Sequence, residues 1–507
     1  MQGLHAYGTA CICKQNRLHP AQGLRVSGAA YMQNQLRSVQ GLCVSAHAET
    51  AGLPRHALRR KDEQDLMNPF QAAFAEVGAA VPRILLPRPG TDLHRFSVIA
   101  CDQFTSAPRY WEAVEDIVGD APSTLKLMLP EIYLGSPCEA EKTGDIVRNM
   151  ERYLNGGVLR EIGEGAVVVS RQVGGGKTRT GLLMAFDLEC YDYTPGSKPL
   201  IRATEGTVPE RIPPRLRLRE RAEIELPHIL LLLDDPGRTV IEPLAAGGEG
   251  ELVYSFDLMQ GGGHIEGRFF RREALDGVAG ALEALSLRCA EVQNGERMLF
   301  AAGDGNHSLA TAKANWEQVK KKLPQEEWEG HPARFALCEL VNIHDEGIEF
   351  EPIHRVVFGA QPDFMEELTE IMLAQNPEGT AVCMRRDNPS IRRAAGIHAH
   401  ALPFVSPEGE GCVFVQAPAY GLPVGTLQAA LDEYTSRHGE AKVDYIHGED
   451  VVRELAERGA VGFLLPAMPK EALFPAVMHD GALPRKTFSM GEAQEKRYYL
   501  ECRKIVK

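Results

Sequence analysis

Two triple-glycine turns constrain this chain more than any other feature. Gly174-Gly175-Gly176 separates the apolar runs at 167–169 and 182–184, and Gly261-Gly262-Gly263 separates residues 252–258 from 264–270. Flexible breaks between period-two apolar runs predict hairpins, and therefore antiparallel strands. Helical stripes are interleaved with them. Tyr110, Trp111, Val114 and Ile117 follow Pro108 and end at Gly119, while Leu275, Val278, Leu282 and Leu285 mark a helix over 273–293. Hairpins and helices without a strict strand–helix–strand repeat predict an α+β or mixed α/β fold. A length of 507 residues implies two to four domains. The expected division is a mixed α/β domain over 67–295 and a second over 296–507, with the boundary near 294–297.

The first 66 residues read differently. Residues 1–48 carry no Asp or Glu, and Gln-Gly-Leu recurs at 2–4, 22–24 and 40–42. Such a segment is either a non-native upstream extension with the true start at Met67, or an acid-poor organelle transit peptide. Disorder is predicted for it in both cases. The expected location is cytoplasmic, or an organelle if the segment is a transit peptide.

The longest aliphatic run, 229–233, is far shorter than the ~20 residues that span a bilayer, so no membrane partner is expected. A formal net charge of −14 disfavours non-specific DNA binding. The 11 cysteines are scattered without a Cys-x-x-Cys pair, which suits free thiols better than a disulfide framework or a zinc site.

The clearest chemical signal runs from Leu299 to Ser308, Leu-Phe-Ala-Ala-Gly-Asp-Gly-Asn-His-Ser. An apolar strand enters a Gly-Asp-Gly turn and then a helix reaching Trp316. Gly303 and Gly305 permit positive φ and close approach of backbone to ligand, and a helix N-terminus presents free N–H groups to an anion. Asp304 is a candidate base or Mg²⁺ ligand, His307 a candidate acid–base group, and Asn306, His307 and Ser308 candidate phosphate donors. A merely capped turn is the alternative. A second cluster holds Arg202, Glu205 and Arg211, followed by Arg215, Arg217, Arg219 and Arg221. If residues 215–221 are extended, these four arginines share one face, which would suit a polyanion or be a solvated edge. His354-Arg355 and Arg485-Lys486 could each add cations near a phosphate. Asp102 and Glu205 form a further potential carboxylate pair. Gly174–Gly176 with Lys177-Thr178 imitates the end of a phosphate-binding P-loop, but Arg171 stands where that motif needs its first glycine.

These segments together resemble the domain of unknown function 1015 family. The resemblance rests on Ser97 to Ser106, Pro108 to Trp111, Pro122 to Leu125, the 202–219 block, the 303–307 turn, His354-Arg355 and Arg485-Lys486, in that order. The family's turn, Asp-Gly-His-His-Arg, is similar to the Asp-Gly-His-Thr-Arg turn of ParB-like free-serine kinases. The resemblance implies a ParB-like α+β core with an additional mixed-sheet region, and a nucleotide ligand (ATP, ADP or CTP) with Mg²⁺. Asp304, Gly305 and His307 match that turn, whereas Asn306 replaces His and Ser308 replaces Arg. Losing one charged hydrogen bond to phosphate costs about 1.5–3 kcal/mol, so a weakened site is implied. Two functions follow as alternatives. One is a nucleotide-dependent kinase or phosphotransferase for a small hydroxyl compound such as serine. The other is a non-catalytic regulatory protein that binds a nucleotide or metabolite.

Overall fold

The computed structural model describes residues 69–292, 295–388 and 399–507. The expectations for residues 1–66 lie outside them. Both glycine turns join antiparallel strands. Leu159–Gln172 pairs with Thr178–Asp187 across the first, and Glu251–Asp257 pairs with His264–Arg271 across the second. Among the described residues the largest sheet has eleven strands and mixes parallel with antiparallel neighbours. The fold is mixed α/β, as the interleaved periodicities require.

Both faces of this sheet are buried, which explains why its strands read as continuous apolar runs. Leu182, Met184 and Phe186 point to one side, where Val278, Leu282 and Leu285 of the helix Asp276–Val292 and Leu309, Ala312 and Trp316 of the helix Asn306–Lys320 cover them. Leu183, Val167 and Val169 point to the other, against Trp111 and Val114 of Pro108–Val118 and Ile146 and Met150 of Glu139–Asn155. Each such large apolar side chain contributes roughly 1.5–3 kcal/mol on full burial. Pro108 opens its helix where a missing N–H costs nothing, and Gly119 closes it at φ 50°.

Strands from both sides of residue 295 share this sheet. Phe300–Asp304 runs antiparallel to Leu230–Leu233 and parallel to Ile201–Ala203, while Phe335–Asn342 pairs with Thr178–Asp187. A second sheet of six strands, 354–358 to 461–463, packs Phe364–Gln375 and Pro423–Arg437 in a core that continues onto Leu230, Leu232, Ala301 and Val341 of the first sheet. The chain then returns. Phe488–Met490 pairs with Phe350–Pro352, Tyr498–Tyr499 with Val98–Ile99, and Arg503–Lys504 with Ile224–Glu225. Residues 67–507 make one compact unit.

Two local expectations are corrected. Residues 215–221 are not extended, because Pro213 and Pro214 sit in the first turn of a helix, Ile212–Arg219. On the helix Arg215 and Arg219 share an inward face while Arg217 points to solvent, so the four arginines do not form one row. The sequence also suggests a helix after Ser123, but the stretch is only a short 3₁₀ turn, Thr124–Lys126, with the Ser123 hydroxyl accepting from Leu125 N–H.

Candidate functional site

The strand–turn–helix at 300–320 forms as its residues dictate. Gly305 takes φ 74°, ψ 26° and directly precedes the helix Asn306–Lys320. A Cβ on Gly305 would lie 3.0 Å from Ile229 Cα, so conformation and space both demand glycine. Gly303 differs: it stays in the strand, and its side-chain position is filled by Leu232 and Met490, at 2.7 and 2.9 Å from a built Cβ. The helix start has no side-chain cap, and Ser308 and Leu309 N–H turn inward to Gly305 O. The N–H groups of Asn306 and His307 precede them on the first turn, where helical backbone donors lack an intrahelical acceptor.

This turn opens onto a cleft of about 740 Å³. Within it the fold brings together Gly303, Asp304, Gly305, Asn306, His307, Ser308, Glu205, Arg211, Arg485 and Lys486 from the sequence-derived candidates. Asp304 Oδ1 accepts from Gly305 N–H at 3.0 Å, and Oδ2 lies 3.3 Å from Lys496 Nζ. Glu205 Oε1 accepts from Lys486 N–H at 3.0 Å. Burial, joined by the charge of Asp304, raises the Glu205 carboxyl above its ordinary pKa despite that hydrogen bond. Asn306 is buried; its amide donates to Thr204 Oγ1 at 3.4 Å, while its Oδ1 has no hydrogen-bond partner.

His307 Nε2 accepts from Val208 N–H at 3.3 Å, so its neutral ring carries the proton on Nδ1. Burial, followed by the charges of Arg211 and Arg215, lowers its pKa to about 4. It is a neutral donor at pH 7, and the nitrogen that would act as base is already engaged. Ser308 Oγ lies 2.9 Å from His228 Nε2.

Three candidates stand elsewhere. Arg202 is buried and bonds Glu296 at 3.2 Å. His354 is buried, its Nδ1 accepting from Leu465 N–H at 3.1 Å. The Arg355 guanidinium donates to Lys486 O and Arg485 O, both at 2.9 Å, and to Gln428 Oε1 at 3.2 Å. Burial lowers its pKa to about 10. Arg355 thus anchors the loop that carries two cleft cations without reaching the cleft itself. The arginines of the 212–219 helix are individually paired, Arg215 with Glu131, Arg217 with Glu139 and Arg219 with Glu225, so they form no open basic face.

The cleft also contains residues without a local sequence signal: Lys496, Tyr445, Thr105 and Glu131. Asp102 joins Glu205 there, as the pair suspected from sequence. His228 had a usable signal. It directly precedes the buried 229–233 run, and that strand's Leu230 registers opposite Asp304. Among the described residues no three His, Cys, Asp or Glu side chains converge as a metal cluster, and no helix is long and apolar enough to cross a membrane.

The family model described as "Protein of unknown function (DUF1015)" matches residues 85–434. The chain belongs to this family. No curated protein sequence matches it. Among solved structures, this DUF1015 protein is similar to a free serine kinase in complex with AMP, at 12% identity and a TM-score of 0.35, over 64% of this chain and 92% of the other. It is also similar to a conserved hypothetical protein from Pyrococcus furiosus, at 12% identity and a TM-score of 0.31, over 61% and 90% of the two chains. A third similar structure is SbnI with a C-terminal truncation from Staphylococcus aureus, at 12% identity and a TM-score of 0.28, over 61% and 82%.

Proposed function

We propose that this DUF1015 protein is a nucleotide-dependent phosphotransferase acting on a small hydroxyl compound, of which serine is the simplest example. One arrangement supports this reading. The uncapped first turn of a helix faces the same cleft as Arg211, Arg485, Lys486 and Lys496. Backbone N–H groups and a helix dipole favour an anion there, and side-chain cations add charge-assisted hydrogen bonds to phosphate.

The chemistry divides among the residues by their surroundings. The amides of Asn306 and His307, with Arg485 and Lys486, hold the phosphates. His307, neutral, donates from Nδ1 toward a phosphoryl oxygen. Glu205, whose carboxyl is held above the usual range, takes the proton of the attacking hydroxyl. Asp304 fits a Mg²⁺ ion, since that metal commonly uses one or two carboxylates and completes its shell with phosphates and water. A cation there would also offset the repulsion that Asp304 exerts on the Glu205 carboxylate. When bound, Mg²⁺ neutralises phosphate charge.

A regulatory, non-catalytic reading draws on Ser308. It replaces the arginine of the related turn and is engaged with His228. Calorimetric titration of ATP, ADP and CTP with Mg²⁺, on the wild type and Asp304→Ala, tests the proposal. Binding weakened by Asp304→Ala, with ADP release in the presence of serine or other hydroxyl compounds, is expected. No nucleotide binding overturns the phosphotransferase reading and leaves the regulatory one only with a metabolite ligand; binding without turnover favours the regulatory reading.

A further inference from the structure

A second cavity of about 140 Å³ adjoins the cleft. Glu131, Leu134, Pro214, Arg215 and Ser308 line both spaces. Leu127, Met128, Met150, Leu218, Leu226 and Leu337 make the second one apolar. Its charged groups neutralise each other, Arg215 against Glu131 and Arg219 against Glu225.

A chain of hydrogen bonds sits where the two spaces meet. His228 Nε2 is 2.9 Å from Ser308 Oγ, and His228 Nδ1 is 2.9 Å from the Tyr499 hydroxyl. That hydroxyl accepts from Cys101 N–H at 3.2 Å and donates to Cys101 Sγ at 3.2 Å. A phenol has a single proton. With that proton directed at sulfur, His228 Nδ1–H is the donor to Tyr499, and Nε2 is left to accept from Ser308. The junction therefore places the Ser308 hydroxyl, polarised by the His228 imidazole, beside an apolar hollow.

We propose that this cavity is the acceptor subsite. It takes a hydroxyl compound bearing an apolar arm of about six carbons, with the arm in the cavity and the hydroxyl against Ser308 and His228. Size carries the estimate: an apolar protein cavity of about 150 Å³ accommodates benzene. Charge narrows the class further. The charged groups of a free amino acid meet no uncommitted counter-charge in the cavity itself, since Asp102, 4.0 Å from His228 Nε2, lies on the cleft side; an apolar arm therefore suits the cavity better than a charged one. The hydroxyl's role rests on the phosphotransfer reading, whereas occupancy of the cavity does not.

Benzyl alcohol and ethanol serve as probes, with binding followed by ligand-observed NMR on the full chain and ADP affinity measured in parallel. Benzyl alcohol is expected to bind at least about thirtyfold tighter than ethanol, as burial of the ring's carbons requires. Ala222→Leu fills the cavity from a wall that does not face the cleft. It should weaken benzyl alcohol at least tenfold and leave ADP affinity unchanged. Leu226→Phe is the second filling variant, used if thermal melting shows that Ala222→Leu is unfolded. Ser308→Ala should reduce the preference for benzyl alcohol over toluene. Equal binding of the two alcohols, or benzyl alcohol binding that survives both filling variants, overturns the proposal. If ADP fails to bind while benzyl alcohol behaves as expected, the phosphotransfer reading falls and the apolar-ligand site stands.

Discussion

Arg171, Arg179 and Arg497 lie inside the protein, whereas Arg211, Arg485 and Lys486 line an open cleft. In the first group the outer end of each guanidinium is held by a fixed acceptor, although the Nε of all three lacks a hydrogen-bond partner. Arg497 bonds Glu339 and Glu501 at 2.5 Å each, and Tyr254 completes the cluster on Glu501. Burial works against the Arg497 charge, but Glu501 and Glu339 outweigh it and raise its pKa. Arg171 donates instead to the carbonyls of Gly262, Gln494 and Lys496, and burial lowers its pKa to about 9. The cleft cations have fewer partners and face solvent. One guanidinium fork therefore has two settings: enclosed, it fastens strands, and exposed, its donors are left open to solvent. The two groups meet at Lys496. Its carbonyl is held by Arg171, and its ammonium reaches Asp304 in the cleft.

The largest effect should come from the enclosed group. Arg497→Met leaves Glu501 buried without its countercharge and Glu339 with Arg179 alone, a loss of about 3–5 kcal/mol, read as a lower urea midpoint. A loss below about 1 kcal/mol would break the contrast.

Acid comes next. His307 is half-buried and neutral, with its pKa lowered to about 4 in the fold and about 6.5 in the unfolded chain. The unfolded chain binds the proton first, so stability is fully present above pH 6.5 and falls as pH drops toward 4. Wild type should lose about 2–3 kcal/mol over that window relative to His307→Gln. A difference between the two proteins that stays constant from pH 7 to 4 would remove this role for His307.

Arg485→Ala, in the open group, should weaken ADP about ten- to a hundredfold while leaving the urea midpoint in place. Arg355→Ala sharpens the point, because it should lower affinity and stability together by releasing the loop from beneath. Arg217 gives the smallest effect. Its pair with Glu139 is solvated, with 59% of the arginine side chain exposed. Arg217→Ala should cost less than about 1 kcal/mol and leave ADP titrations unaltered.

What was legible in the sequence was local. Glycine runs between apolar repeats announce both hairpins, Pro108 and Gly119 bound a helix, and Gly305 marks the strand-to-helix turn, since each depends on backbone freedom within a few residues. The arginine alternation at 215–221 misleads because two prolines start a helix there, and side-chain spacing carries no veto over that. Arg202 and His354 look reactive in isolation but are enclosed by partners far along the chain, Glu296 and the backbone of Leu465. Asp102, Lys496 and Tyr499 reach the site only because Tyr498–Tyr499 registers against Val98–Ile99. Nothing in either dipeptide alone encodes that pairing.

The return of residues 485–499 to strands near the start of the fold has a biosynthetic consequence. During translation, none of Arg485, Lys486, Lys496 or Tyr499 exists until more than nine-tenths of the polypeptide has been made. A message cut short upstream therefore yields a product with the glycine bend but without most of its counter-ions. On the phosphotransfer reading such a fragment would hold nucleotides poorly, since of Arg211, Arg485, Lys486 and Lys496 it would keep only Arg211.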